Sequence, residues 1–206
     1  MSLLVYCGGH EGYSLAHIID SYSRVIVFEP LPQLADKLRK RFPAAVVEQA
    51  AVGENGGVAE FKLYGEDNGS GSLGNLRQEA IDVVAHRWPA GHFNCHGRQQ
   101  VLVINLAKYC EANKITEIDT LVTDTQGFDA TIMESLLPLF EKRAIKKVQC
   151  EVDADGLPCY DGVPDNSFSR VKSFFNKLPY RQISGPIEPW VVDEDNLQAD
   201  LVFICQ

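Results

Sequence analysis

Two apolar runs, Leu3-Leu4-Val5-Tyr6 and Val25-Ile26-Val27-Phe28, enclose a glycine-rich turn, Cys7-Gly8-Gly9-His10-Glu11-Gly12, and the second run ends on Glu29-Pro30. No other stretch constrains the fold as tightly. Short, continuously apolar runs bounded by turn residues fit strands buried on both faces, as in parallel sheets. Residues 13–22 between them read as a helix, so about thirty residues make one strand–helix–strand unit. In such a unit the glycines let a ligand approach the backbone, and a carboxylate ending the second strand can accept hydrogen bonds from ribose hydroxyls. The spacing Gly8-Gly9-x-x-Gly12 is not G-x-G-x-x-G, so the glycines alone also fit a tight connection without ligand. Glu29 shifts the reading toward a ribose-bearing cofactor.

The same alternation continues. Ala45-Val46-Val47 leads into Gln49-Ala50-Ala51-Val52, and later strand-like runs are Asp119 to Asp124, Lys147 to Val152 and Leu201 to Ile204. Residues 31–41 place Leu34, Leu38 and, just beyond, Phe42 on one helical face, and 130–142 and 168–178 are further helical segments. Strands alternating with helices predict a doubly wound α/β sheet with helices on both faces, three layers in all. Glu60-Phe61-Lys62-Leu63-Tyr64 and Gln100-Val101-Leu102-Val103 alternate polar with apolar residues, predicting extra short antiparallel strands. The glycine-rich stretch 65–74 reads as a loop and 79–98 as an insertion. A length of 206 residues suits a single domain, 1–206.

Composition narrows the partners. A net charge of −9 argues against a protein that grips nucleic acid through its phosphates, and Lys37, Arg39, Lys40 and Arg41 read as a solvated helix face. No apolar run approaches the eighteen residues of a membrane span, and the first residues lack the pattern of a signal peptide. Six cysteines without a C-x-x-C pair fit reduced thiols in the cytoplasm. His86, His92, Cys95 and His96 invite comparison with a zinc site, but Pro89-Ala90-Gly91 interrupts them and no complete ligand set emerges, so no metal is expected.

Asp124-Thr125-Gln126-Gly127-Phe128-Asp129 follows a predicted strand and so brings a second strand-end carboxylate near the ligand crevice; Glu151 adds a third. Acids converging without matching lysines suit an ammonium group or hydroxyls better than phosphates.

These pieces, in order, resemble the FkbM-type methyltransferases, class I enzymes dependent on S-adenosylmethionine. The resemblance rests on Gly8-Gly9-His10-Glu11-Gly12-Tyr13-Ser14-Leu15, Val27-Phe28-Glu29-Pro30-Leu31-Pro32, Ala50-Ala51-Val52-Gly53 and Ser70-Gly71-Ser72-Leu73. It continues through Val101 to Leu106, Ile118-Asp119-Thr120-Leu121 with Asp124 to Asp129, and Gln149-Cys150-Glu151. It implies a seven-stranded Rossmann-like methyltransferase sheet with the last strand antiparallel, and methyl transfer to a hydroxyl oxygen of a sugar or other small metabolite. It further implies that Gly8, Gly9, His10, Glu11 and Gly12 line the cofactor, that Glu29 and Pro30 meet its ribose, and that Ala51 and Val52 lie near its adenine. Asp124 and Gln126 would face the methionine end and the acceptor.

For a hydroxyl acceptor, a base has to take the proton, and Asp124, His10 and Glu151 are the candidates, in that order. Three positions depart from the family pattern: Tyr6 where an acid usually opens the glycine motif, His10 where asparagine is frequent, and Val122 where lysine is common. Two other readings follow: a non-catalytic S-adenosylmethionine-fold binding protein, and a nicotinamide-dependent oxidoreductase. Glu29 permits the latter; the missing G-x-G-x-x-G and the Asp124 block oppose it.

Overall fold

The structure, a computed structural model, describes residues 2–65, 67–187 and 197–206. In chain order its elements are β1 (Leu3–Cys7), α1 (Tyr13–Ala16), β2 (Arg24–Phe28), α2 (Pro32–Arg41), β3 (Val46–Glu48), β4 (Ala51–Val52), β5 (Gly57–Leu63) and β6 (Asn75–Leu76). They continue with α3 (Gln78–Val84), β7 (Gly97–Ile104), α4 (Leu106–Ala112), β8 (Ile118–Thr123), α5 (Asp129–Ser135), α6 (Leu137–Glu141), β9 (Ile145–Asp153), β10 (Tyr160–Asp161), α7 (Phe168–Phe175), β11 (Tyr180–Ser184) and β12 (Gln198–Cys205).

Among the described residues seven strands form one sheet in the order β11-β12-β9-β8-β1-β2-β3. Strands β3, β2, β1, β8 and β9 run parallel, and β12, last in the chain, runs antiparallel to both β9 and β11. The expected doubly wound sheet with an antiparallel last strand is therefore present. Every residue of the central β1 is buried, as a strand covered on both faces must be. Val5 and Cys7 join the core beneath α4, α5, α6 and α7, while Leu4 and Tyr6 face the other layer with Leu15 of α1 and Leu38 of α2. Each fully buried leucine or valine contributes about 1.5–3 kcal/mol relative to exposure, so this two-sided burial is what makes β1 the rigid axis of the site.

The alternating segments also behave as their pattern implies. β5 and β7 pair antiparallel from Gly57↔Val103 to Leu63↔Gly97, with β4 parallel to β7 on the other edge. Phe61, Val101 and Val103 turn inward onto Leu31 and Leu34, while Leu102 and Arg98 stay exposed. Loop 65–74, apart from Glu66, which lies outside the described residues, folds back on β5 through the Lys62↔Ser72 bridge.

Three expectations need correction. Residues 13–22 form only a four-residue helix and then a 3-10 turn at Ile19–Ser21; Ile18, beside a second β-branched residue, leaves helical geometry at φ −122°. Residues 130–142 split into α5 and α6 at Leu136, and Pro138 cannot donate the amide that a continuous helix needs. Residues 45–52 divide between two sheets, β3 at the edge of the large one and β4 in the small one.

Candidate functional site

A cleft of about 300 Å³ opens at the carboxyl ends of β1, β2 and β8, and the glycine turn, Glu29 and the 124–126 loop all line it. Two close approaches shape its floor. The amides of Gly8 and Gly9 both donate to the Phe28 carbonyl at 3.0 Å, tying the turn to β2. Gly8 has φ +91°, and a Cβ there would stand 1.9 Å from the carbonyl oxygen of Asp124, so this loop and the β8 loop meet backbone to backbone. Only glycine permits that approach.

Glu29 is 4% exposed, and both of its carboxylate oxygens are anchored: Oε1 accepts the Leu31 amide at 2.9 Å and Oε2 the His10 amide at 2.8 Å. Burial raises its pKa, and those two amides pull it back. A carboxylate oxygen has room for a second hydrogen bond, so the group remains an acceptor aimed along the cleft. Phe28, Leu31, Ala51, Val52, Phe61 and Leu73 supply apolar wall around it. His10 holds φ +44°, and its Nε2 lies 2.8 Å from the Asp67 carbonyl oxygen, linking the turn to loop 65–74.

At the other end stands a relay of amides and acids. Gln126, at φ +54°, donates from Nε2 to Asp124 Oδ1 at 2.8 Å and to Glu151 Oε2 at 2.9 Å, which occupies both of its amide hydrogens. The Tyr160 hydroxyl donates to Gln126 Oε1 at 2.6 Å, fixing which end of the amide faces the acids. Gln198 Nε2 does the same between Glu151 Oε2 (3.0 Å) and Asp153 Oδ1 (3.1 Å). Because β12 runs antiparallel, its start brings Gln198 and Asp200 beside Asp153 and Glu151.

The acids raise one another. Burial lifts Glu151 well above the usual carboxylate range, and Asp124, Asp129, Asp153 and Asp200 push it further. Asp124 is open to solvent along the cleft, yet the protein packed around it still raises its pKa, with Gln126 opposing and Asp200 adding to the rise. Asp129 is fully buried behind it and is pushed up to about 7, first by burial and then by Asp124, against the Thr125 amide and hydroxyl, which both donate to its Oδ2. Tyr6, at the position where the family usually has an acid, lines the cleft with its phenol pushed up to about 12 by burial and by Asp124.

The structure therefore gathers Gly8, Gly9, His10, Gly12, Glu29, Pro30, Ala51, Val52, Asp124 and Gln126 around one cleft. Glu151 reaches it through Gln126, whereas Glu11 turns outward to pair with Lys37. Val122 is buried among Leu4, Tyr6 and Val27. Sequence reasoning did not single out Tyr160, Gln198 or Asp67; Tyr160 and Gln198 belong to segments far along the chain with no motif around them. Ser72, in the Ser70-Gly71-Ser72-Leu73 stretch, donates its hydroxyl to the Gln126 carbonyl at 2.8 Å. Among the described residues no group of three or more His, Cys, Asp or Glu side chains is arranged to hold a metal ion. Among them, too, no helix is long and apolar enough to cross a membrane.

Comparison with known proteins gives the family and the fold. The methyltransferase FkbM domain matches residues 7–181, a span that holds the glycine turn, Glu29, the 124–129 block, Glu151 and Tyr160. The chain belongs to the FkbM methyltransferase family. The methyl donor of an FkbM methyltransferase domain is S-adenosylmethionine. Among solved structures, the fold is similar to the fibrillarin pre-rRNA processing protein of Methanococcus jannaschii, at a TM-score of 0.51 and 13% identity, over 99% of this chain and 66% of that one. It is also similar to an rRNA methylase from Streptococcus thermophilus, at a TM-score of 0.51 and 8% identity, over 100% of this chain and 87% of that one. At such identities the FkbM chain shares their fold and nothing finer. This FkbM chain spans about two thirds of the fibrillarin chain's length. No curated protein sequence matches it.

Proposed function

We propose that this chain transfers a methyl group from S-adenosylmethionine to a hydroxyl oxygen of a small molecule, a metabolite or sugar. The observation that carries this reading is the Gln126 amide set between Asp124 and Glu151 at the end of a cleft whose other end holds the anchored Glu29 carboxylate.

The residues fit that cofactor. Gly8 lets the glycine turn and the Asp124 backbone meet at the cleft floor, Glu29 offers acceptors to a ribose diol, and Ala51, Val52 and Leu73 form apolar wall for a base. Asp124, at the cleft wall, would receive the ammonium. Bound there, S-adenosylmethionine supplies an electrophilic methyl group on a good leaving group, so the protein's part is chiefly alignment and proton removal. A carboxylate whose pKa is raised is a stronger base, which favours Asp124, on the cleft wall, for the hydroxyl proton, with Glu151 behind Gln126 in support. His10, tied to Asp67 near Glu29, ranks behind them.

A net charge of −9 and a cluster of acids at the site favour a small acceptor over nucleic acid. All six cysteines are free thiols, which suits a cytoplasmic protein. The non-catalytic alternative draws on Tyr6 and Val122, since neither supplies the charged group common at its position.

Calorimetry with S-adenosylhomocysteine and with NAD tests the cofactor; binding of NAD alone overturns it. A methyl-transfer screen over sugars, phenols and small acids tests catalysis. Asp124→Asn is expected to abolish turnover and keep cofactor affinity within about tenfold. An Asp124→Asn protein with normal turnover removes that residue from the mechanism.

A further inference from the structure

The methionine end of S-adenosylmethionine carries two charges, an ammonium and a carboxylate. Asp124 is the partner proposed for the first. For the second, no lysine or arginine lines the cleft among the described residues. The nearby amides are engaged as well: Gly8 and Gly9 donate to the Phe28 carbonyl, His10 to Glu29 and Gly12 to the Gly9 carbonyl. On the β8 side, the Thr125 amide and hydroxyl both donate to Asp129, and the Gln126 amide hydrogens go to Asp124 and Glu151. A carboxylate leaving water still needs donors.

Tyr6 and Ser14 bring hydroxyls to this wall. Tyr6 is buried on the central β1, paired in register with Val27 and Val122, and it packs with them, Leu15 and Leu38. That packing fixes the ring while its phenol lines the cleft. Burial and Asp124 raise the phenol's pKa and Ser14 opposes them, which sets the hydroxyl near both residues and keeps its proton in place. Tyr13, by contrast, turns outward, 64% exposed, with Arg41 over its ring.

We propose that the Tyr6 and Ser14 hydroxyls hold the carboxylate of the cofactor's methionine end, in place of a cation. The proposal rests on S-adenosylmethionine as donor and on Asp124 as partner of its ammonium. Neutral donors suit the place. A lysine or arginine beside Asp124 would pair with that carboxylate and compete with the ammonium for it, whereas a phenol and an alcohol donate without bringing a charge. Tyr6 is on this account a working part of the cofactor site rather than a mark of lost function.

The test is calorimetry on the full chain with two ligands. One is S-adenosylhomocysteine; the other is its decarboxylated analogue, S-adenosyl-3-thiopropylamine, which keeps the ammonium and lacks the carboxylate. Tyr6→Phe and Ser14→Ala are each expected to weaken S-adenosylhomocysteine about tenfold, the scale of one hydrogen bond to a charged group. Affinity for the thiopropylamine should stay within about twofold, which also shows that the variants fold. Equal weakening of both ligands overturns the proposal, because the hydroxyls then serve the ammonium or the fold. So does S-adenosylhomocysteine affinity that either variant leaves unaltered. Failure of both ligands to bind the unsubstituted chain overturns the donor reading, and the proposal with it.

Discussion

The Tyr160 hydroxyl lies 2.6 Å from Gln126 Oε1, and this contact orients an amide that both Asp124 and Glu151 depend on. Without it the Gln126 side chain can turn over and present its oxygen to two acids. Tyr160→Phe is therefore expected to lower kcat several-fold, in line with a lost hydrogen bond of about 0.5–1.5 kcal/mol. The dissociation constant for S-adenosylhomocysteine should stay within about twofold, because Glu29 and the glycine turn are untouched. Steady-state kinetics beside calorimetry separates the two; equal losses in both would show that Tyr160 merely supports the fold.

Gly8→Ala places a methyl group where the Asp124 carbonyl oxygen already stands, at a backbone φ that L side chains rarely adopt. Either the β1 turn or the β8 loop must move. The expected outcome is destabilisation of more than about 2 kcal/mol in urea unfolding, together with loss of cofactor binding. A variant with wild-type stability and affinity would show that the two loops have slack between them.

Glu29→Gln keeps the shape but turns one anchored oxygen into an NH2 group facing the amide of His10 or Leu31. Both the anchor and a ribose acceptor are lost. Affinity for S-adenosylhomocysteine is expected to fall at least about tenfold, the scale of one charge-assisted hydrogen bond. An unaltered isotherm would take Glu29 out of the ribose site.

Asp129 gives a pH signature. Its folded pKa is about 7, above the ordinary carboxyl value of about 3.9, so between those limits the folded state binds more protons than the unfolded one. Its contribution to stability is complete below about pH 4 and is lost as the pH rises through 7, at about 1.4 kcal/mol per pH unit. Asp129→Asn removes the titrating group, so unfolding free energy should fall less steeply from pH 4 to 7 than in the wild type. Parallel curves would mean that Asp129 keeps an ordinary carboxyl pKa in the fold.

What could be read from the residues divides along a physical line. Buried parallel strands and the glycine turn were legible because burial on both faces demands continuous apolar runs, and a close approach to Asp124 demands Gly8. β5 and β7 were legible for the complementary reason, since one face of each is wet. The breaks at Ile18 and Leu136 were not, because apolar spacing persists across them while backbone geometry does not. Glu29, Asp124 and Gln126 announced themselves by standing at strand ends. Tyr160 and Gln198 did not, since their partners lie 34 and 47 residues away and only the sheet order brings them together.

Strand β12 runs backward between β9 and β11, and this sets an order of assembly. On a chain made from its N-terminus, the glycine turn, Glu29 and Asp124 exist long before Gln198 and Asp200 emerge. The ribose end of the cleft can form early, while the acid relay beside the acceptor waits for a late strand to slot between two others. On the proposed reading, synthesis makes the residues of the cofactor cradle first and those beside the acceptor last.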